Sequence, residues 1–144
     1  MKKLMVMAIM LAGCGRGWSP TVATDPIQAD VQAATLSYAA LLGLKVEVNF
    51  SHDAPLTKTP DPVHGGFLPA AGWVTCGEGK HHTINFNADD LERTGATYYK
   101  AVGAHEVCHV WYKEDIWPCL ADETRATVCG TNLQRGVLPE GVGR

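Results

Sequence analysis

The sequence predicts an α+β domain: a small, mostly antiparallel twisted sheet with one helix ahead of it and two behind it. Three observations predict this. Apolar residues recur at helical spacing near the start and again through the C-terminal third. Short stretches of alternating apolar and polar residues lie between those regions. Prolines and glycines gather in the middle of the chain, where they punctuate strands rather than interrupt helices.

Taken in order, Pro26-Ile27 opens a helix over 27–44, with Val31, Leu36, Ala39, Ala40 and Leu42 toward one face and Gly43 as its stop. Residues 45–50 place Val46, Val48 and Phe50 at even positions, the pattern of a half-buried strand. Pro55, Pro60 and Pro62 make 51–66 a loop, and 67–71 starts another extended segment. Residues 73–76 and 83–87 read as a hairpin around a turn at 77–80, with 83–87 as the sheet edge. A long helix is predicted over 91–113, although Gly103 costs it about 1 kcal/mol relative to alanine. Trp117-Pro118 breaks the pattern, and 121–135 forms the last helix before Gly136. No repeat or low-complexity tract is present.

The first residues carry an address. Met1-Lys2-Lys3 is a short basic region, and LMVMAIML (4–11) is an apolar core too short to span a bilayer as a helix. Leu11-Ala12-Gly13-Cys14 resembles the bacterial lipobox. That resemblance implies a signal peptide over 1–13, acylation of Cys14, a tether over 14–25 and a domain over 26–144. Multiple acyl chains would anchor the domain stably to a membrane. Gly15 stands where Gram-negative sorting signals for the inner membrane carry Asp, so the expected site is the periplasmic face of the outer membrane.

The chain has 144 residues and a net charge of −3, and it loses Lys2 and Lys3 with the leader. The remaining domain is therefore more acidic, which argues against a nucleic-acid partner and against a polybasic membrane signal. With Cys14 assigned to lipid, Cys76, Cys108, Cys119 and Cys129 remain. In an oxidising compartment an even set predicts two disulfides, and three pairings are open. No C-x-x-C spacing supports a cysteine metal site.

The chemistry concentrates in His105-Glu106-Val107-Cys108-His109. Residues four apart share a helix face, so His105 and His109 can offer two imidazole nitrogens to one ion. Glu106 lies about 100° round the helix, beside that ion and within reach of a water on it. A catalytic zinc takes three protein ligands. No histidine follows His109, so the downstream candidates for a third ligand are acidic: Glu114, Asp115, Asp122, Glu123 and Glu140, with a residue elsewhere, or no third ligand, left open. Glu114 and Asp115 continue the helix past the metal, and Glu140 lies in a Gly/Pro-rich tail. Glu123 is preferred, with Asp122 as its alternative and as the natural helix cap.

The motif and the element order resemble the zincin metallopeptidases, and Glu123-Thr124-Arg125-Ala126 resembles the third-ligand helix of the gluzincin type. The resemblance covers about 45–135 and rests on those features alone. It implies Zn2+ held by His105, His109 and Glu123, with Glu106 as general base and then general acid in the hydrolysis of a peptide or protein substrate. Tyr112, Arg125, His81 and His82 are candidates for stabilising the oxyanion, Tyr112 first among them; His52 and His64 flank the proline-rich loop. The alternatives are a metal-binding envelope lipoprotein without catalysis, or a degenerate zincin that binds partner peptides.

Overall fold

The computed structural model describes Ala23 and residues 25–143; the expected signal peptide, the acylated Cys14 and nearly all of the tether lie outside the described residues. The fold is α+β; the described residues form four helices, a mixed three-stranded sheet and a separate two-stranded sheet.

Helix α1 (Pro26–Leu41) starts where the Asp25 carboxylate accepts from the N–H groups of Ile27 and Gln28, with proline in the first turn, where its missing donor costs nothing. Its buried face is Val31, Thr35 and Ala39, continued by Leu42. Leu36 is 40% exposed and Ala40 is also exposed, which corrects the face expected from the apolar pattern. The polar Thr35 takes the inner position because its hydroxyl donates to Val31 O at 2.8 Å, so burial leaves no unmet donor.

Val48 in strand β1 (Glu47–Ser51) and Val46 just ahead of it are buried, as expected. Strand β1 pairs in parallel with β5 (Thr83–Asn87), and β5 pairs antiparallel with β4 (Gly72–Val74), giving the order β1-β5-β4. The hairpin of β4 with β5 matches expectation, but β5 is the central strand, so the edge lies at β4 instead. Four consecutive buried residues from Ile84 to Asn87 explain the difference: a strand flanked on both sides is buried along its length. The 51–66 segment is also more ordered than a loop. It contains β2 (Leu56–Pro60), which pairs with β3 (Phe67–Pro69) in a hairpin helped by the Thr57 hydroxyl donating to Leu68 O at 2.8 Å. The prolines there sit at strand ends, where no ladder donor is needed.

The single long helix expected over 91–113 is two. Helix α2 (Ala88–Thr94) is capped by Asn87, and α3 (Ala96–Trp111) begins after Gly95. Gly95 has φ 92, a left-handed value that glycine adopts without strain, and it turns the chain between the helices. The Tyr99 hydroxyl in α3 donates to Asp90 of α2 at 2.6 Å and holds the corner. Helix α4 (Glu123–Gln134) is capped by Asp122, whose carboxylate accepts from Arg125 N at 3.0 Å.

Helix α3 is the centre of the packing. Toward the sheet and α1 it buries Tyr99 and Val107 against a core that includes Phe86, Ile84 and Val31. At Gly103 an added Cβ would lie 2.3 Å from Thr35 Oγ1, so this weak helix former is what lets α1 close on α3. Toward α4, Gly130 plays the same part against the backbone of His105. Two disulfides fix the frame: Cys108–Cys129 joins α3 to α4, and Cys76–Cys119 joins the segment after β4 to the α3–α4 connection. Their pairing is one of the three left open by the sequence.

Candidate metal centre

Three of the expected residues meet. His105 Nε2 and His109 Nε2 face each other at 2.9 Å from one face of α3. Glu123, the first residue of α4, brings Oε2 to 3.0 Å from His105 Nε2 and Oε1 to 3.5 Å from His109 Nε2. These ligand atoms all lie within 4.8 Å of one another, close enough to hold one metal ion. The burial is graded: the side chains of His109, His105 and Glu123 are 4%, 22% and 72% exposed. The group is thus anchored in the core and open on its carboxylate side, where a fourth position would be reached from solvent.

The donor chemistry fits a cation. His109 Nδ1 stands 2.5 Å from Glu114 Oε2, and a carboxylate only accepts, so the Nδ1 proton points away and the Nε2 lone pair points into the group. Burial, followed by the neighbouring His109, holds the His105 pKa below its usual value, which favours the neutral ring a metal requires. Asp122 is occupied elsewhere, as the α4 cap, leaving Glu123 as the acidic residue that joins the two histidines.

Glu106 is next to the group but not in it. It is 5% exposed, and burial, with the Glu123 charge adding to it, pushes its pKa up to about 8. No hydrogen bond to it is found among the described residues. It is also held close to the edge strand: a Cβ added to Gly72 would stand 3.1 Å from Glu106 Cγ and 3.2 Å from Oε1. Edge strand β4 therefore runs directly beside this carboxyl group. Asn87 N–H reaches Ala71 O and Thr75 N–H reaches Thr83 O, which turns the odd-numbered residues toward β5. Among the described residues, the outward backbone groups of Gly72 and Val74 have no strand partner.

The remaining candidates fall elsewhere. Tyr112 lies under the Arg125 guanidinium, 4.2 Å from ring centre to Cζ. Both line an open cavity of about 550 Å³ with Asp122, Asn132 and Glu140, on the side of α4 away from Glu123. Glu114 and Asp115 are not in the ligand group: Glu114 backs His109, and Asp115 accepts from His82 Nδ1 at 2.5 Å. His52 pairs with Asp89 and His64 with Asp61 on the surface, and His81 is exposed.

The roles of Glu114 and Arg125 were not foreseen from the sequence. Arg125 Nη2 donates to Glu114 Oε1 at 2.6 Å, and the Asp122 N–H donates to the same oxygen at 3.1 Å. What turns Glu114 back is Lys113, with φ 61, which closes α3 with bonds from Glu114 N to His109 O and from Lys113 N to Val110 O. A glycine at 113 would have signalled that turn; a lysine hides it.

No protein-family model, curated protein or solved structure matches the chain. The functional reading therefore rests on the site itself. The two disulfides are consistent with a secreted protein, and no described helix is long and apolar enough to cross a membrane.

Proposed function

We propose that the chain is a zinc-dependent peptidase of the gluzincin type, with His105, His109 and Glu123 as ligands and Glu106 as the proton-transfer group. The observation that carries the reading is the company Glu106 keeps. A structural metal site needs no unpaired, buried carboxyl group at its side, and hydrolysis does.

Zinc bound by these three residues supplies Lewis-acid activation of a water and of the substrate carbonyl. Glu106 takes the proton of the attacking water, a role its raised proton affinity suits, and then passes it to the leaving amine. Gly72 keeps the adjoining strand close to this carboxyl group without a side chain in the way. An extended peptide is the substrate that the free backbone groups of Gly72 and Val74 suit, since strand addition at a sheet edge satisfies both partners.

The two disulfides support an extracytoplasmic location for this activity, and the lipobox-like Leu11-Ala12-Gly13-Cys14 supports the cell envelope, with Cys14 as the proposed lipid attachment point. The test has two steps. The purified chain should hold one zinc per molecule, and H105A should lose it. Glu106→Gln should retain zinc while cleavage of an unstructured protein falls by at least about a hundredfold. Undiminished cleavage by E106Q would refute the mechanism, and zinc binding with no cleavage of any peptide would favour the non-catalytic alternative.

A further inference from the structure

We infer that Glu114 is the positioning residue of the metal centre: it holds His109 in the tautomer that offers Nε2 to a cation, and the first turn of α4 holds Glu114. The inference rests on the metal-binding part of the reading above and deepens it.

Each link is a direct contact in the structure. Glu114 is ion-paired with Arg125, so it is a carboxylate and can only accept, which makes His109 Nδ1 the donor across 2.5 Å. With its proton there, the ring carries its lone pair on Nε2, the atom facing His105 and Glu123. The other oxygen of Glu114 accepts from Arg125 Nη2 and from the Asp122 N–H. Both oxygens of a side chain 3% exposed are thereby used, and rotating the carboxylate would break all three bonds.

The partners also share an origin. Asp122 and Arg125 bracket Glu123 in the first turn of α4. One helical turn therefore presents the carboxylate ligand and, on its other side, the two donors that hold the group behind His109. The Arg125 guanidinium in turn rests on the Tyr112 ring. Docking of α4 and orientation of His109 become one event. Among the described residues His105 has no equivalent support: its Nδ1 meets only the Thr127 hydroxyl, at 3.4 Å.

The test uses the full chain with both disulfides formed. Nitrogen-15 NMR of the metal-free protein should show His109 protonated at Nδ1 and not at Nε2. Zinc affinity, measured by competition with a chromophoric chelator, should fall about 10–100-fold in Glu114→Gln, whose amide accepts or donates and so no longer selects a tautomer. Arg125→Met should weaken binding in the same direction, and Arg125→Lys, which keeps a donor for Glu114, should restore most of it. A native His109 protonated at Nε2 would overturn the inference, as would zinc affinity in folded E114Q within twofold of native. If E114Q does not fold, the native ring spectrum and the Arg125 pair decide. Zinc binding that depends on Glu114 in a chain that cleaves no peptide would refute the hydrolase and leave this inference standing. Failure of the native chain to bind zinc would overturn both.

Discussion

Gly130 of α4 lies directly against the backbone of His105: an added Cβ would stand 2.9 Å from both the nitrogen and the Cα of that residue. The spacing of the two helices at the metal group is thus set by the absence of a side chain, and the atoms it faces are backbone, which cannot swing aside. Gly130→Ala should push α4 outward, cost about 1–3 kcal/mol of stability, and carry Glu123 away from the histidines. Thermal melts and chelator competition should show both losses, with zinc affinity down at least tenfold. Native affinity in this variant would show that the helices need not approach so closely.

Asp122 and Glu123 are neighbours with separable jobs. Asp122→Ala removes the α4 cap and should lower stability by about 1 kcal/mol with little change in zinc content. Glu123→Gln should do the reverse, releasing zinc while the melting temperature of the metal-free chain stays within a few degrees of native. Metal analysis and calorimetry on the two variants separate the roles. An exchange of the two phenotypes would make Asp122 the ligand.

Gly72 lies against Glu106, the proposed base: the three atoms nearest to a Cβ added there belong to Val102 and Glu106. In Gly72→Ala the new methyl would meet Val102 Cγ1 at 2.6 Å and the Glu106 side chain at 3.1 Å. Both neighbours are side chains and can shift, so the fold should survive while Glu106 is displaced. Turnover should drop about tenfold or more with zinc affinity unchanged, since a small misplacement of a catalytic group is costly. Equal loss of turnover and metal would mean that the strand supports the whole centre.

Acid stability should depend on the α2–α3 corner. Burial pushes the Asp90 pKa up, but hydrogen bonds from Tyr99 and Arg93 outweigh it and hold the pKa below 3.8. A carboxyl group with a depressed folded pKa contributes stability that is complete above its unfolded value and lost as pH falls through the folded one. Asp90→Asn should therefore destabilise the protein near neutrality and flatten the loss of stability below about pH 4. Urea unfolding from pH 7 down to pH 2 would check this; parallel native and variant profiles would show that Asp90 does not drive the acid limb.

The sequence was informative where the chemistry is local. His105 and His109 are four apart on one helix, and Asp122 beside Glu123 reads as a cap followed by a first-turn acid; geometry of this kind follows from helical pitch. Pairing order was not local. Alternation in 45–50 and 83–87 tells which side chains point inward, but it says nothing about which strand lies in the middle. Leu36 and Thr35 show another limit: an apolar count favours the leucine, while the close approach permitted by Gly103 favours the smaller residue. Glu114 was hidden for a related reason. Its direction depends on one left-handed lysine, and residue type does not announce that conformation.

The β2–β3 hairpin packs almost wholly on itself, and Leu56, Val63 and Phe67 are 69%, 78% and 51% exposed at its surface. It adds little to the buried core, yet it leaves the body only two residues before Gly72 and the edge strand beside Glu106. Such an element is a module on a rigid chassis: residues 56–69 can be shortened, exchanged or tagged without repacking a helix. Whatever is grafted there is delivered beside the edge strand that adjoins Glu106.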